Sequence, residues 1–201
     1  MTTPDPIYVT QLVPIELPIF SYDLSQEFDY DKIIKQLIAY AELNPDKPKG
    51  QHSNIRIVNK GWHSGYLMHE QTNEFDYISE KVLEKVRYIQ QEFFTILEQN
   101  VTYEICNLWG VVYTKDDFAD WHDHGRTLAV AKCINFILYL NDGDNPLHIK
   151  QDNNMPNFKI YPKKGLLVLM HPFILHKVFP SNLESNRYVI AGNIGPKFNA
   201  R

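Results

Sequence analysis

"GLLVLMHPFILHKVFP", residues 165–180, decides the fold class. Gly165 opens the apolar run Leu166–Met170, which His171 and Pro172 end. A second run follows from Ile174 and stops at Pro180. Both runs are too short for a helix of about 10 residues, and Gly and Pro punctuate them, so they read as two strands with a bend between. The same pattern extends in both directions. "YEICNLWGVVYT", "KCINFILYLN", "NPLHIKQ" and "NFKIYP" precede it, and "NRYVIAGNI" follows. These make seven short apolar or alternating runs between Gly, Pro, Asn and Asp clusters. They do not alternate with helices, which disfavours a parallel α/β sheet and favours a β-sandwich or jelly roll.

Before residue 103 the period is helical. "DYDKIIKQLIAYAEL" puts Ile33, Ile34, Leu37, Ile38 and Ala41 on one face, and "NPDKPKG" stops it. "SNIRIVNKGWHSGYL" reads as strand and loop. In "DYISEKVLEKVRYIQQEFFTILEQN", Ile78, Val82, Val86, Ile89, Phe93 and Ile96 recur at steps of three and four. The expected architecture is α+β and mainly β: a double-stranded β-helix (jelly roll) core buttressed by two helices that cover one sheet face. The chain is read as a single domain, 1–201, with 1–100 as a helical and strand support region and 101–196 as the jelly-roll core.

The chain has 201 residues, 44 % apolar and 22 % charged, the composition of a globular protein. A net charge of -4 and the lack of a long Lys/Arg run give no general pull toward nucleic acid or an anionic membrane. The proline-rich start carries no signal-peptide pattern, and no apolar run approaches the roughly 20 residues of a membrane helix. Cys106 and Cys133 both lie in apolar runs and read as buried, reduced thiols in a cytoplasmic protein. No Gly-rich phosphate loop and no G-x-S-x-G elbow is present.

The chemistry-bearing stretch is "ADWHDHGRT", residues 119–127. In an extended segment residues i and i+2 share a side, so His122 and His124 can approach one ion while Asp123 points away. A facial metal site needs a third ligand. His176 is the best candidate; His171 competes but sits beside Pro172 at a bend. A backbone bulge would return Asp123 to the metal, and Asp120 with His122 is a further pairing. Imidazoles suit Fe(II), Zn(II), Cu(II) and Ni(II) alike. His52, His63, His69 and His148 read as surface or satisfied side chains.

The ordered set "WHDHG", "INFILYLN", "YPKKGLLVLMHPFILHKVFP" and "NRYVIAGNIG" resembles the Fe(II)/2-oxoglutarate-dependent oxygenases of the prolyl-4-hydroxylase-like group. "IRIVNKGWHSGYL" and the long helix at 77–99 are also similar to that group, so the resemblance covers most of the chain from residue 54. It implies that His122, His124 and His176 hold Fe(II). Arg187 would receive the distal carboxylate of 2-oxoglutarate, a match of planar fork to carboxylate. It implies that Tyr113 and Tyr139, and more weakly Asn193, line the cosubstrate pocket. No catalytic side chain beyond the metal ligands is implied. The expected activity is a dioxygenase using O2 and 2-oxoglutarate, hydroxylating a small-molecule or peptidyl substrate and releasing succinate and CO2. Two departures stand out: His124 occupies the usual place of a carboxylate, and Arg187-Tyr188-Val189 lacks the usual Arg-x-Ser. Two competing readings follow from them. One is a three-histidine cupin-type metal enzyme that does not use 2-oxoglutarate; the other is a non-catalytic jelly-roll binding or structural protein. Substrate identity and oligomeric state are not legible.

Overall fold

A computed structural model describes residues 19–45, 61–92, 101–124, 133–150, 158–180 and 185–197. A short strand, β1 (Ile19–Asp23), leads into α1 (Tyr30–Leu43). Asp29 caps α1, its carboxylate accepting from the Lys32 N–H at 3.0 Å. β2 (Trp62–His63) and a 3₁₀ turn at Met68–Glu70 precede α2 (Asn73–Glu92). The remaining strands are β3 (Tyr103–Tyr113), β4 (Ala119–His122), β5 (Ile134–Tyr139), β6 (Leu147–Lys150), β7 (Phe158–Ile160), β8 (Leu166–Met170), β9 (Leu175–Val178) and β10 (Arg187–Pro196).

The strands form two antiparallel sheets. The major sheet runs β1-β8-β5-β10-β3-β2 and the minor sheet β4-β9-β6-β7. From β3 to β10 the chain passes back and forth between the two sheets, with only β6 and β7 consecutive in one sheet, as in a jelly roll. Each expected run from residue 103 is a strand, and β4 is an additional one that carries no long apolar run of its own.

The helices lie on one face of the major sheet. Ile33 and Leu37 of α1, and Ile78, Val82, Val86 and Ile89 of α2, pack with Leu108, Phe136, Leu138, Leu167, Leu169, Ile190 and Ile194 in one buried cluster. Phe93 and Ile96 fall outside the described residues. Gly110 permits this close seat, because a Cβ there would overlap Leu37 Cδ1. The opposite face carries Trp109, Val111, Tyr139, Val168 and Val189, and meets Ala119, Leu147, Ile149, Ile174 and Val178 of the minor-sheet layer. The Pro162-x-x-Gly165 turn depends on Gly165, whose φ of 84° is left-handed. That conformation brings its carbonyl to the Leu24 N–H at 2.8 Å.

One expectation is corrected. Cys106 is exposed and Cys133 only half-buried, and neither is in a disulfide. The register between β3 and β10 shifts at Asn193/Ile194, leaving Cys106 as the extra residue of a bulge and displacing it from the alternation that would have buried it.

Candidate functional site

Strand pairing assembles the histidines. β4 is an edge strand of the minor sheet, antiparallel to β9, and His122 is the direct cross-strand partner of His176. Their ring centroids are 4.2 Å apart. His124 lies beyond the end of β4, where its backbone N–H donates to the Pro172 carbonyl at 2.9 Å. That bend turns its ring to 5.3 Å from His176 and 5.7 Å from His122. One nitrogen from each of the three rings lies within 4.8 Å of the others. Asp123 is not in this group, and neither is His171. His171 Nδ1 accepts from the Phe173 N–H at 3.2 Å and so closes the Pro172 bend.

Hydrogen bonds set the tautomers. The Asp120 carbonyl accepts from His122 Nδ1 at 2.7 Å, and the Ile174 carbonyl accepts from His176 Nδ1 at 2.9 Å. A carbonyl only accepts, so both Nδ1 atoms carry the proton and both Nε2 atoms keep their lone pairs. Metal-binding histidines are held by such outer partners. Burial lowers the pKa of all three rings, His124 to about 4, and neighbouring rings add to the effect on His124 and His176. Three neutral imidazoles with converging lone pairs form a donor set suited to a borderline divalent cation.

His124 also rests on an aromatic column. Trp109 stacks on it at 6.1 Å, and His63 stacks on Trp109 at 5.5 Å, with Tyr66 edge-on to both His63 and Trp109. His63 is therefore no surface side chain, although its Nδ1 is satisfied by the Ser64 carbonyl at 2.6 Å. His148, on β6, meets the exposed Phe179 ring edge-on and takes no part in the cluster.

Arg187 begins β10, paired in register with Tyr113. It is 8 % exposed, and its guanidinium lies 4.4 Å over the Tyr113 ring. Nη1 donates to the Asn145 carbonyl at 2.9 Å. Nε and Nη2 are buried without a hydrogen-bond partner among the described residues. Such orphaned donors cost free energy unless a ligand or water meets them, and a carboxylate fits their geometry. Tyr139, two residues along the same inward face, is buried, and burial pushes its hydroxyl pKa up while Arg187 opposes the shift. A cavity lined by Asp117, Asp142, Asp144 and Asn145 reaches Arg187 and Tyr113 from the loop side, with no histidine in its lining. Asn193 lies farther along β10 on the inward face, its side chain a hydrogen-bonding neighbour of the His124 ring.

Sequence reasoning missed Asn135. It is 2 % exposed, with both amide atoms unpartnered among the described residues. The available signal was its place in "INFILYL", where the only polar residue shares the parity of Tyr139.

The two sheets and their helical backing define a double-stranded β-helix of the type found in 2-oxoglutarate oxygenases. Among solved structures, the chain is similar to a Pseudomonas putida prolyl-4-hydroxylase. The TM-score is 0.67 at 15 % identity, covering 91 % of this chain and 95 % of that one. It is similar to HygX from Streptomyces hygroscopicus, solved with nickel, 2-oxoglutarate and hygromycin B bound. There the TM-score is 0.65 at 13 % identity, covering 90 % and 83 %. A Trichoplax adhaerens prolyl hydroxylase in complex with a hypoxia inducible factor oxygen degradation domain peptide fragment gives a TM-score of 0.61 at 14 % identity, covering 89 % and 82 %. No protein-family model and no curated protein matches the sequence. At these identities the likeness establishes the fold, which agrees with the resemblance read from the sequence.

Proposed function

We propose that the chain is an Fe(II)- and 2-oxoglutarate-dependent dioxygenase that hydroxylates a small-molecule or peptidyl substrate. The observation that carries this reading is the pairing of three neutral, converging imidazoles at the minor sheet with a buried guanidinium, two of its donors unpaired among the described residues, on the face of the major sheet turned toward it. The fold neighbours support it: one was solved with nickel, 2-oxoglutarate and hygromycin B, another with a peptide fragment. His122, His124 and His176 would hold Fe(II) through ring nitrogens. When bound, iron and 2-oxoglutarate supply O2 activation coupled to decarboxylation of the cosubstrate to succinate and CO2.

The chain's own residues supply position and charge. Arg187 offers Nε and Nη2 to the distal carboxylate while Nη1 stays on Asn145, which fixes the fork. Tyr113 supports the guanidinium from below, and Tyr139 and Asn193 line the same face. Val111, Val168 and Val189 keep that surface dry, which strengthens each charge interaction. We place support region 1–100 and core 101–196 in one cytoplasmic domain. Cysteines outside any disulfide are consistent with that compartment, and among the described residues no helix is long and apolar enough to cross a membrane.

The test is anaerobic addition of Fe(II) and 2-oxoglutarate to the purified chain. The expected result is a visible charge-transfer band, then succinate release when O2 enters. No band from the wild type overturns the proposal. Bound iron in Asp123→Ala and His124→Ala decides the second ligand: loss with Asp123→Ala alone would remove His124 from the site. The all-imidazole donor set also favours a second reading, a cupin-type enzyme that needs no 2-oxoglutarate. Iron binding without the chelate band would select it.

A further inference from the structure

The inward face of the major sheet carries a buried amide that neither the histidines nor Arg187 account for. Asn135 is 2 % exposed, and its Nδ2 and Oδ1 are both buried without a partner among the described residues. Its cross-strand partner is Asn193, whose side chain is a hydrogen-bonding neighbour of the His124 ring. On the other side of Asn193, Asn107 is engaged: its Oδ1 accepts from the Asn193 backbone N–H at 3.1 Å. An amide row therefore crosses β3, β10 and β5 in register.

Its position separates it from the proposed cosubstrate anchor. Arg187 and Asn193 lie toward opposite ends of β10, with Val189 and Ala191 between them on the same face. Six residues of strand span about 20 Å. The row sits at the histidine end. Trp109 is the register partner of Ala191 and stacks on His124, and the Asn193 side chain is a hydrogen-bonding neighbour of the His124 ring. A cosubstrate extending from Arg187 approaches the histidines from one end of this face, and the amide row meets them at the other through Asn193, the strand neighbour of Asn135.

Natural cores seldom keep a full carboxamide buried with neither atom paired, and such a group points to a missing partner. The two orphaned atoms, both of Asn135, are one NH2 donor and one acceptor oxygen. An aliphatic ring set against them pairs none. A carboxylate meets the donor but gives the oxygen no proton. A carboxamide or an alcohol both donates and accepts. We propose that Asn135 with Asn193 forms a substrate-binding subsite that takes a neutral group able to donate and accept hydrogen bonds, a carboxamide or a hydroxyl. The assignment of this group to the substrate rests on the dioxygenase reading, whereas the ligand chemistry rests on the orphaned atoms alone.

Acetamide and acetate are isosteric probes that differ in this respect. The experiment follows the Asn135 side-chain NH2 resonances by ¹⁵N NMR in the full-length chain with Zn(II) and 2-oxoglutarate present. Acetamide is expected to shift them with an affinity about tenfold above that of acetate, equivalent to about 1.4 kcal/mol. Asn135→Leu should abolish the Asn193 shift seen with acetamide. The same variant should melt a few degrees higher than the wild type, because it removes two buried unpaired atoms at nearly constant shape. Equal or tighter binding of acetate, or no shift with either probe, overturns the proposal. A lower melting temperature in Asn135→Leu does so as well, because it assigns the amide to the fold. Loss of the Fe(II)–2-oxoglutarate band in Asn135→Leu assigns Asn135 to the cosubstrate and also overturns it. The NMR shift requires no turnover, so it survives or fails independently of the band in the wild type, which tests the dioxygenase reading.

Discussion

Along β5, Ile134, Phe136 and Leu138 face the helices, while Asn135, Ile137 and Tyr139 of the same strand face the minor sheet. The same division runs through β3, β8 and β10. Toward the helices lie Leu108, Leu167, Leu169 and Ile190, each 0 % exposed and apolar. Toward the minor sheet lie Trp109, Val168, Asn193 and Arg187, a mixed surface with orphaned donors and acceptors. One face buries hydrocarbon and stabilises the fold at about 25 cal/mol per Å². The other gives up part of that gain by keeping unpaired polar atoms dry. Alternation with a period of two lets one set of strands serve both purposes.

Substitutions on the two faces should therefore fail in different ways. The largest effect is expected at His176. His176→Ala removes the ring that bridges His122 and His124, and it should weaken metal binding by more than the roughly 10- to 100-fold that loss of an outer partner costs. Metal titration monitored by bound iron or Zn(II) measures it. Melting of the metal-free protein should change little or rise, since the variant removes a buried imidazole. A wild-type metal affinity in His176→Ala would break the assignment of the inward face to chemistry.

Leu138→Ala is the converse. Leu138 is 0 % exposed in the helix-side cluster, so truncation should cost about 2–5 kcal/mol of unfolding free energy in denaturant. Metal affinity of the folded fraction should stay at the wild-type value. Arg187→Ala should come next, weakening 2-oxoglutarate by about 100-fold, near 2.7 kcal/mol, in the range for truncating one side of a buried charged pair. Iron binding should move by less than about threefold. Equal losses for the two ligands would leave Arg187 only as the anchor of the Asn145 loop.

Acid sharpens the comparison further. All three histidines titrate below their ordinary 6.5, His124 at about 4. The unfolded chain then takes up protons that the folded chain refuses, so stability is full above pH 6.5 and falls as pH drops toward about 4. The helix-side cluster holds no group that titrates in this window. The melting temperature of the metal-free protein should fall between pH 7 and 4, and the part of the slope that His124→Ala removes should report the inward face, since His148 and the surface carboxylates Glu74, Glu84 and Asp120 add to the rest.

Much of this was legible in the chain. The apolar runs and their Gly and Pro boundaries gave the strands, because side-chain alternation and turn chemistry are local. The pairing of His176 with His122 was open to inference because a jelly roll brings distant strands together. Three features were not legible. His124 shares a side with His122 through a bend held by the Pro172 carbonyl, a long-range contact, not through regular strand geometry. His63 reaches Trp109 only because β2 pairs with β3. Cys106 escapes burial through a bulge that depends on the register of β10.

The smallest expected effect concerns Asp120, the residue that offered the reverse pairing with His122. Its backbone and side chain do separate jobs. The carbonyl accepts the His122 Nδ1–H at 2.7 Å, which presents Nε2 to the cluster. The carboxylate accepts instead from Lys177 Nζ at 3.0 Å and from the Trp121 N–H at 2.8 Å, outside the histidine group. Asp120→Asn keeps the backbone and the shape but removes the charge. An exposed ion pair of this kind is worth about 0–1 kcal/mol, so thermal stability should fall by at most that amount and less in high salt. Metal affinity should stay within about twofold of wild type, below the cost of disturbing an outer partner. A tenfold loss of metal affinity in Asp120→Asn would place the carboxylate at the ion and reverse the roles of its two oxygen-bearing groups.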